Sequence, residues 1–215
     1  MTETLDPTRP RSLADAMTVT VPEGSIETLH VERFTVEPDS FENFRLAMRG
    51  GRSTRPGTYT ALKDGGTLWM SDTDAEKRDH MEALHQIRSW EAKRVLINGL
   101  GLGMVLAAAL TFEHVEHVDV VEIDERVIEL VGPHYAGPRV TIHHADAYEQ
   151  AKQWPAGTRW DVAWHDIWPD LCEDNLPEMA RLHRSYGRRV DWQGSWGKAL
   201  CERHRDADKR SRRGW

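Results

Sequence analysis

The feature that most constrains this 215-residue chain is the run Val95-Leu-Ile-Asn-Gly99-Leu-Gly101-Leu-Gly103, followed at once by the Ala-rich segment Met104 to Leu110. An aliphatic run, three alternating glycines and a helical segment in direct succession specify a strand that enters a helix through a tight turn. From Lys93 onward, short apolar runs alternate with helical segments, the sequence form of βαβ units and a parallel sheet. Strands are expected at Arg94 to Asn98, His117 to Glu122, Val140 to His144 and Trp160 to His165. Helices are expected over Met104 to Leu110, from near Asp124, and through Tyr148 to Gln153. Right-handed crossovers then give the strand order 3-2-1-4. The expected fold class is α/β, a Rossmann-like parallel sheet.

The rest of the chain is organised around that core, which is expected over residues 91–170. Residues 1–20, with Pro7, Pro10 and little that can be buried, read as a flexible arm. Residues 21–90 read as a small β-rich part with a linking helix. Glu27 to Val36 alternates as a half-buried strand should, and Phe41 to Met48 reads as a short helix. Tyr59 to Leu62 and Thr67 to Ser71 flank the turn sequence Asp64-Gly65-Gly66 of a hairpin. Thr73 and Glu76 have capping-box spacing ahead of a helix over Asp74 to Trp90. Residues 171–215 read as a helical C-terminal part with a basic tail. One helix starts at Asp174 or Asn175 and stops at Gly187; a second segment, Val190 to Arg205, spaces Trp192, Trp196 and Leu200 by four residues. The sheet is therefore expected to stop early, after its fourth strand, with this Trp-rich stripe covering the exposed edge in the same subunit or in a homodimer.

Charge and composition exclude several classes of partner. The net charge is −7, and the segment from Arg203 to Trp215 carries six basic and two acidic residues, leaving −11 on the remainder. So acidic a body does not spread over nucleic acid. The apolar stretch around Met104 to Leu110 falls far short of the ~20 residues that span a bilayer. No membrane span or secretory leader is expected, and two cysteines, Cys172 and Cys201, suit a reducing cytoplasm.

The chemistry is expected where the strands end. Glu122 closes the strand after the glycine turn, 19 residues beyond Gly103, where a carboxylate can accept both hydroxyls of a ribose. Asp146, in His144-Ala-Asp-Ala-Tyr148, stands after strand three, where an acid can accept the amino group of adenine. Asp166 ends strand four. All of these would face one crevice at the carboxyl ends of the strands, flanked by Asn98, Ile123 and Ala147. His165 is a second candidate base, but strand alternation lets only one of His165 and Asp166 point into the site, and Asp166 is favoured. Trp164, Trp168 and Asp170 are candidates for a substrate pocket, and together with Trp192 and Trp196 the indoles could wall a flat or cationic acceptor. No zinc spacing is present and no metal is expected; a hard cation, if bound, would take Asp166 and Asp170.

The order Gly99-x-Gly101-x-Gly103, Val121-Glu-Ile-Asp124, Asp146-Ala147 and Asp161-Val-Ala-Trp-His-Asp166 resembles the class I S-adenosylmethionine-dependent methyltransferase fold. Within it the likeness is to the spermidine synthase-like group and extends over residues 59–170. The resemblance implies S-adenosyl-L-methionine as cofactor, with Glu122 on the ribose, Asp146 on the adenine and the Gly99 to Gly103 turn at the amino-acid end. Two departures weigh against aminopropyl transfer. The group carries an acid for the aminopropyl cation where this chain has Leu102, and an Asp-Ser-Ser-Asp run where it has Asp166-Ile-Trp-Pro-Asp170. The expected function is accordingly methyl transfer to a small-molecule acceptor, with Asp166 orienting or deprotonating the acceptor. The alternatives are a spermidine synthase-like aminopropyltransferase and a non-catalytic nucleoside-binding or regulatory module.

Overall fold

A computed structural model describes residues 12–38, 54–169 and 171–213. The expected helix over Phe41 to Met48, the first eleven residues of the arm and Asp170 lie outside the described residues.

Two sheets form the scaffold. The first is antiparallel, β1 (Gly24–Ile26), β2 (Leu29–Val36), β3 (Gly57–Asp64) and β4 (Thr67–Ser71) in sequential order. Gly65 and Gly66 supply the positive φ values, 54° and 86°, that the β3–β4 hairpin requires. The second is parallel and built from β5 (Arg94–Asn98), β6 (His117–Glu122), β7 (Val140–His144), β8 (Trp160–His165) and β9 (Val190–Ser195), in the spatial order β7-β6-β5-β8-β9. Pairing sets Asn98 opposite His165 and Glu122 opposite His144, which brings the carboxyl ends of four strands to one edge.

Helices cover both faces of the parallel sheet, as buried parallel strands require. Strand alternation decides the faces: Val95 and Ile97 enter one core with α2 (Asp74–Ser89) and α3 (Met104–Leu110). Leu96 enters the other with α5 (Ala147–Gln153) and α6 (Asn175–Tyr186). Between them in sequence, α4 (Glu125–Val131) follows β6 and starts at Asp124, whose side chain accepts from the Arg126 N–H. The first core also takes in Leu29, Val31 and Leu62 of the antiparallel sheet, so the two sheets share one apolar interior.

Three expectations change. Residues 12–20 are not a loose arm: Ser12 caps a helical turn, α1 (Leu13–Ala16), and Met17, Val19 and Val21 are buried. They stay because Asp72, itself buried, accepts the backbone N–H of Thr60 at 2.6 Å and of Val19 at 3.3 Å. Thr73 does start α2, but its hydroxyl pairs with Ser71 at 3.1 Å and makes no cap bond.

The third change is topological. Val190 to Ser195 is a fifth parallel strand rather than the start of a helix; the helix begins only at Lys198, as α7 (Lys198–Arg213). Gly194 sits under the rings of Trp192 and Trp164, and these indoles stack with centroids 6.5 Å apart. Four-residue tryptophan spacing misled because two of its members belong to a strand and a turn. β9 covers the edge of β8, which removes the premise for a dimer through that edge. Among the described residues no helix is long and apolar enough to cross a membrane.

Candidate active site

A cleft of about 460 Å³ opens at the carboxyl ends of β5, β6, β7 and β8. Gly99, Gly101, Glu122, Ile123, Asp146, Ala147, Asp166 and Trp168 line it, all positions singled out from the sequence. Its roof is the antiparallel sheet, through Leu62, Trp69 and Met70.

The glycine turn is sterically fixed. Gly99 has φ 96°, and a Cβ there would collide with the carbonyl oxygen of Asp166. Gly103 has φ 75°, and a Cβ there would enter the ring of Tyr135. The first glycine therefore lets β5 and the end of β8 approach at the cleft floor, whereas the third serves packing outside the cleft. Leu102 is fully buried, and its carbonyl accepts the Tyr135 hydroxyl at 2.8 Å.

Glu122 ties this turn to β6. Its Oε2 accepts the Leu100 N–H at 2.7 Å, and its Oε1 accepts those of Ile123 and Asp124 at 2.8 and 2.9 Å. Asp146 caps α5, with Oδ1 accepting from the Tyr148 and Glu149 N–H groups at 2.7 and 3.1 Å. At the mouth, Arg126 donates to Asp124 at 2.6 Å and to Asp64 of the β3–β4 hairpin at 3.0 Å, and its guanidinium lies 5.9 Å from the Trp69 ring centroid. The Thr28 hydroxyl and then Arg126 hold the Asp64 carboxyl below the usual range; Arg126 does the same for Asp124.

Asp166 is set by its backbone, the N–H donating to the Asn98 carbonyl at 2.8 Å. Its side chain is 14% exposed, and burial, reinforced by Glu76, Glu122 and Asp79, pushes its pKa up to about 8. The fully buried His80 of α2 stands behind it, Nε2 at 3.7 Å from Oδ2. On the outer side the Trp168 indole donates to Glu178 of α6 at 3.1 Å, so Glu178 also lines the cleft.

Other expected site residues lie elsewhere. The Asn98 side chain and His165 are buried together beneath the cleft, Nδ2 to Nδ1 2.7 Å, while His165 Nε2 stands 3.0 Å from Gln193 Oε1. Burial drives the His165 pKa down to about 3, and the ring is a satisfied core histidine with no base function in the cleft. Trp164 packs edge-on against His80 and stacks on Trp192, outside the cleft lining. Sequence reasoning missed His80, Glu178, Trp69, Met70 and Arg126. The wide apolar face of α2 carried a signal for His80, a lone polar residue among Ala83, Leu84 and Ile87.

Residues 78–174 match the Spermine/spermidine synthase domain. Polyamine aminopropyltransferase 2 of Ralstonia nicotianae is 36% identical over 130 residues, covering 53% of this chain and 24% of that protein. Spermidine synthase 1 of Hyoscyamus niger is 38% identical over 73 residues, covering 31% of this chain and 23% of that protein. The crystal structure of spermidine synthase from Thermotoga maritima aligns at 21% identity with a TM-score of 0.48, over 79% of this chain and 52% of that one. The chain thus spans about a quarter of the length of these curated relatives. The resemblance read from the sequence holds: an α/β methyltransferase-like fold, akin to the spermidine synthase-like group. The expectation of a methyltransferase with S-adenosyl-L-methionine as cofactor does not, because the matched family and the relatives are aminopropyltransferases. Leu102 misled here: its side chain is fully buried and is not among the residues that line the cleft.

Proposed function

We propose that this chain binds decarboxylated S-adenosylmethionine and transfers its aminopropyl group to an amine acceptor. The charge of the cleft carries the reading. Glu122, Asp124, Asp146, Asp166 and Glu178 line it, and among the described residues no lysine, arginine or histidine does. The guanidinium at the mouth, Arg126, is already engaged by Asp64 and Asp124. Decarboxylated S-adenosylmethionine bears a sulfonium and an ammonium and no carboxylate, whereas the methyl donor adds a carboxylate for which no cationic side chain lines the cleft among the described residues. A carboxylate about 6 Å from one such acid is disfavoured by about 3 kcal/mol at an effective dielectric constant of about 20.

In the proposed reaction the acceptor nitrogen attacks the methylene carbon beside the sulfonium. The carbon–sulfur bond breaks with its electron pair going to sulfur, which leaves as a neutral thioether, and the surplus proton on nitrogen passes to Asp166. Asp166 takes this proton in its ionised form, which gains population as pH rises towards 8, and in that form it is a stronger base than an ordinary carboxylate. Ribose recognition falls to Glu122 and adenine recognition to Asp146, beside the apolar Ile123. The indole of Trp168 backs the acceptor end.

Titration calorimetry with the decarboxylated and carboxylated donors, followed by mass spectrometry of a putrescine reaction, tests the reading. Tighter binding of the decarboxylated form and a product heavier by one aminopropyl group are expected. Equal binding of both donors, or no product with any amine, overturns it.

A further inference from the structure

Asp166 is the one group in the cleft to which the chemistry above assigns a proton, and its backbone is locked on both sides. Its N–H is bonded to the Asn98 carbonyl, and its carbonyl oxygen occupies the space that a Cβ on Gly99 would need. Its carboxyl group is not locked by any such pairing with the backbone. It faces acids from two elements: Glu76 and Asp79 of α2, and Glu122 of β6. The cleft adds Asp124, Asp146 and Glu178. Repulsion of this kind favours the protonated carboxyl.

One ring stands against that array. His80 belongs to the same α2 face as Glu76 and Asp79, and it is fully buried with its Nε2 3.7 Å from Asp166 Oδ2. That separation is too long for a direct hydrogen bond. Beside the two groups opens a small void of about 10 Å³, lined by both of them, by Gly99, Met70 and Trp164, and by apolar side chains of β5 and α3. A void of that size holds about one water molecule, and this one offers polar partners on two sides. The edge of Trp164, with centroid 6.1 Å from the imidazole, keeps the ring in place.

We propose that His80 is a positioning residue for Asp166: through a single water in this void it donates a hydrogen bond to Oδ2, orients the carboxylate towards the cleft and favours its ionised form. The inference rests on the aminopropyl-transfer reading only for the meaning of the proton that Asp166 carries. The contact itself can be read without turnover.

The test is carbon-13 NMR titration of the Asp166 carboxyl in the full chain, identified by its loss in Asp166→Asn, for wild type, His80→Gln and His80→Phe. His80→Phe removes the donor and is expected to raise the titration midpoint by about one pH unit, a tenfold change in the acid constant. His80→Gln keeps an N–H donor and is expected to stay closer to wild type; if the phenylalanine variant does not fold, His80→Leu removes the donor in its place. A midpoint that moves in neither variant overturns the proposal. If the midpoint moves while no amine is aminopropylated by wild type, the pair stands and the functional reading falls. If the wild type turns over, the acidic limb of its rate profile is expected to follow the same shift in His80→Phe. A loss of rate with an unmoved limb would mark His80 as merely structural.

Discussion

Glu122→Gln separates what the fold asks of this side chain from what a nucleoside asks. In the wild type, Oε1 accepts two backbone N–H groups and Oε2 accepts one, from Leu100 inside the glycine turn. The glutamine oxygen can keep the Ile123 and Asp124 bonds, which places its NH₂ against the Leu100 N–H, donor facing donor. One charge-assisted hydrogen bond to a buried amide is lost, about 2 kcal/mol. For a chain of this size each kcal/mol moves Tm by about 2–4 °C, so a fall of about 4–8 °C is expected. Differential scanning calorimetry of Glu122→Gln reads it, with Glu122→Ala, which strands all three donors, expected to fall further. Nucleoside binding, measured in the same samples, should weaken in both. A glutamine variant that melts within about 1 °C of wild type would refute the argument that this carboxylate holds the turn.

Further outcomes follow from the buried ionisable groups. Asp166 has a folded-state pKa of about 8, above that of an unfolded aspartate, so the native state holds the proton more tightly and stability falls as pH rises from about 4 to 8. Asp166→Asn should therefore gain on wild type in urea unfolding between pH 5 and pH 9, with turnover abolished. His165 and His183 are held neutral, chiefly by burial, at about 3 and about 4. The unfolded chain takes up protons first, and stability drops as pH falls below about 6.5. His165→Gln should flatten that loss in circular dichroism melts between pH 6.5 and 4.5; an unchanged slope would contradict a neutral core imidazole. Asp72→Ala removes two buried backbone acceptor bonds and should cost about 2–4 kcal/mol, with limited proteolysis opening near Val19.

Much of the nucleotide fold could be read from the chain because its strands are buried on both faces and punctuated by glycine and acid. The limits of β5 to β8 agree with the apolar runs, and Glu122, Asp146 and Asp166 do reach one cleft. Val190 to Ser195 was not legible as a strand because its Trp192 falls in a four-residue series with Trp196 and Leu200; Trp192 and Gly194 are fitted to Trp164 instead. Asn98 and His165 misled for a related reason. A position at the end of a strand fixes height, whereas the face follows from alternation, and both side chains fall on the side of α6. The roof residues Trp69 and Met70, and Arg126 beneath them, act across long sequence separations that no local pattern encodes.

The common interior of the two sheets also determines how the molecule comes apart. Met17, Leu29, Val31 and Leu62 from the first ninety residues lie in the same cluster as Leu84, Val95, Leu106 and Val118. A cut between the roof and the nucleotide fold would strip apolar surface from both pieces, so neither fragment is an autonomous module. Unfolding is then expected as one cooperative transition, and local opening of the roof is linked to loosening of the sheet beneath it. Recombining this β-rich cap with a different nucleotide fold would require rebuilding the interior they share.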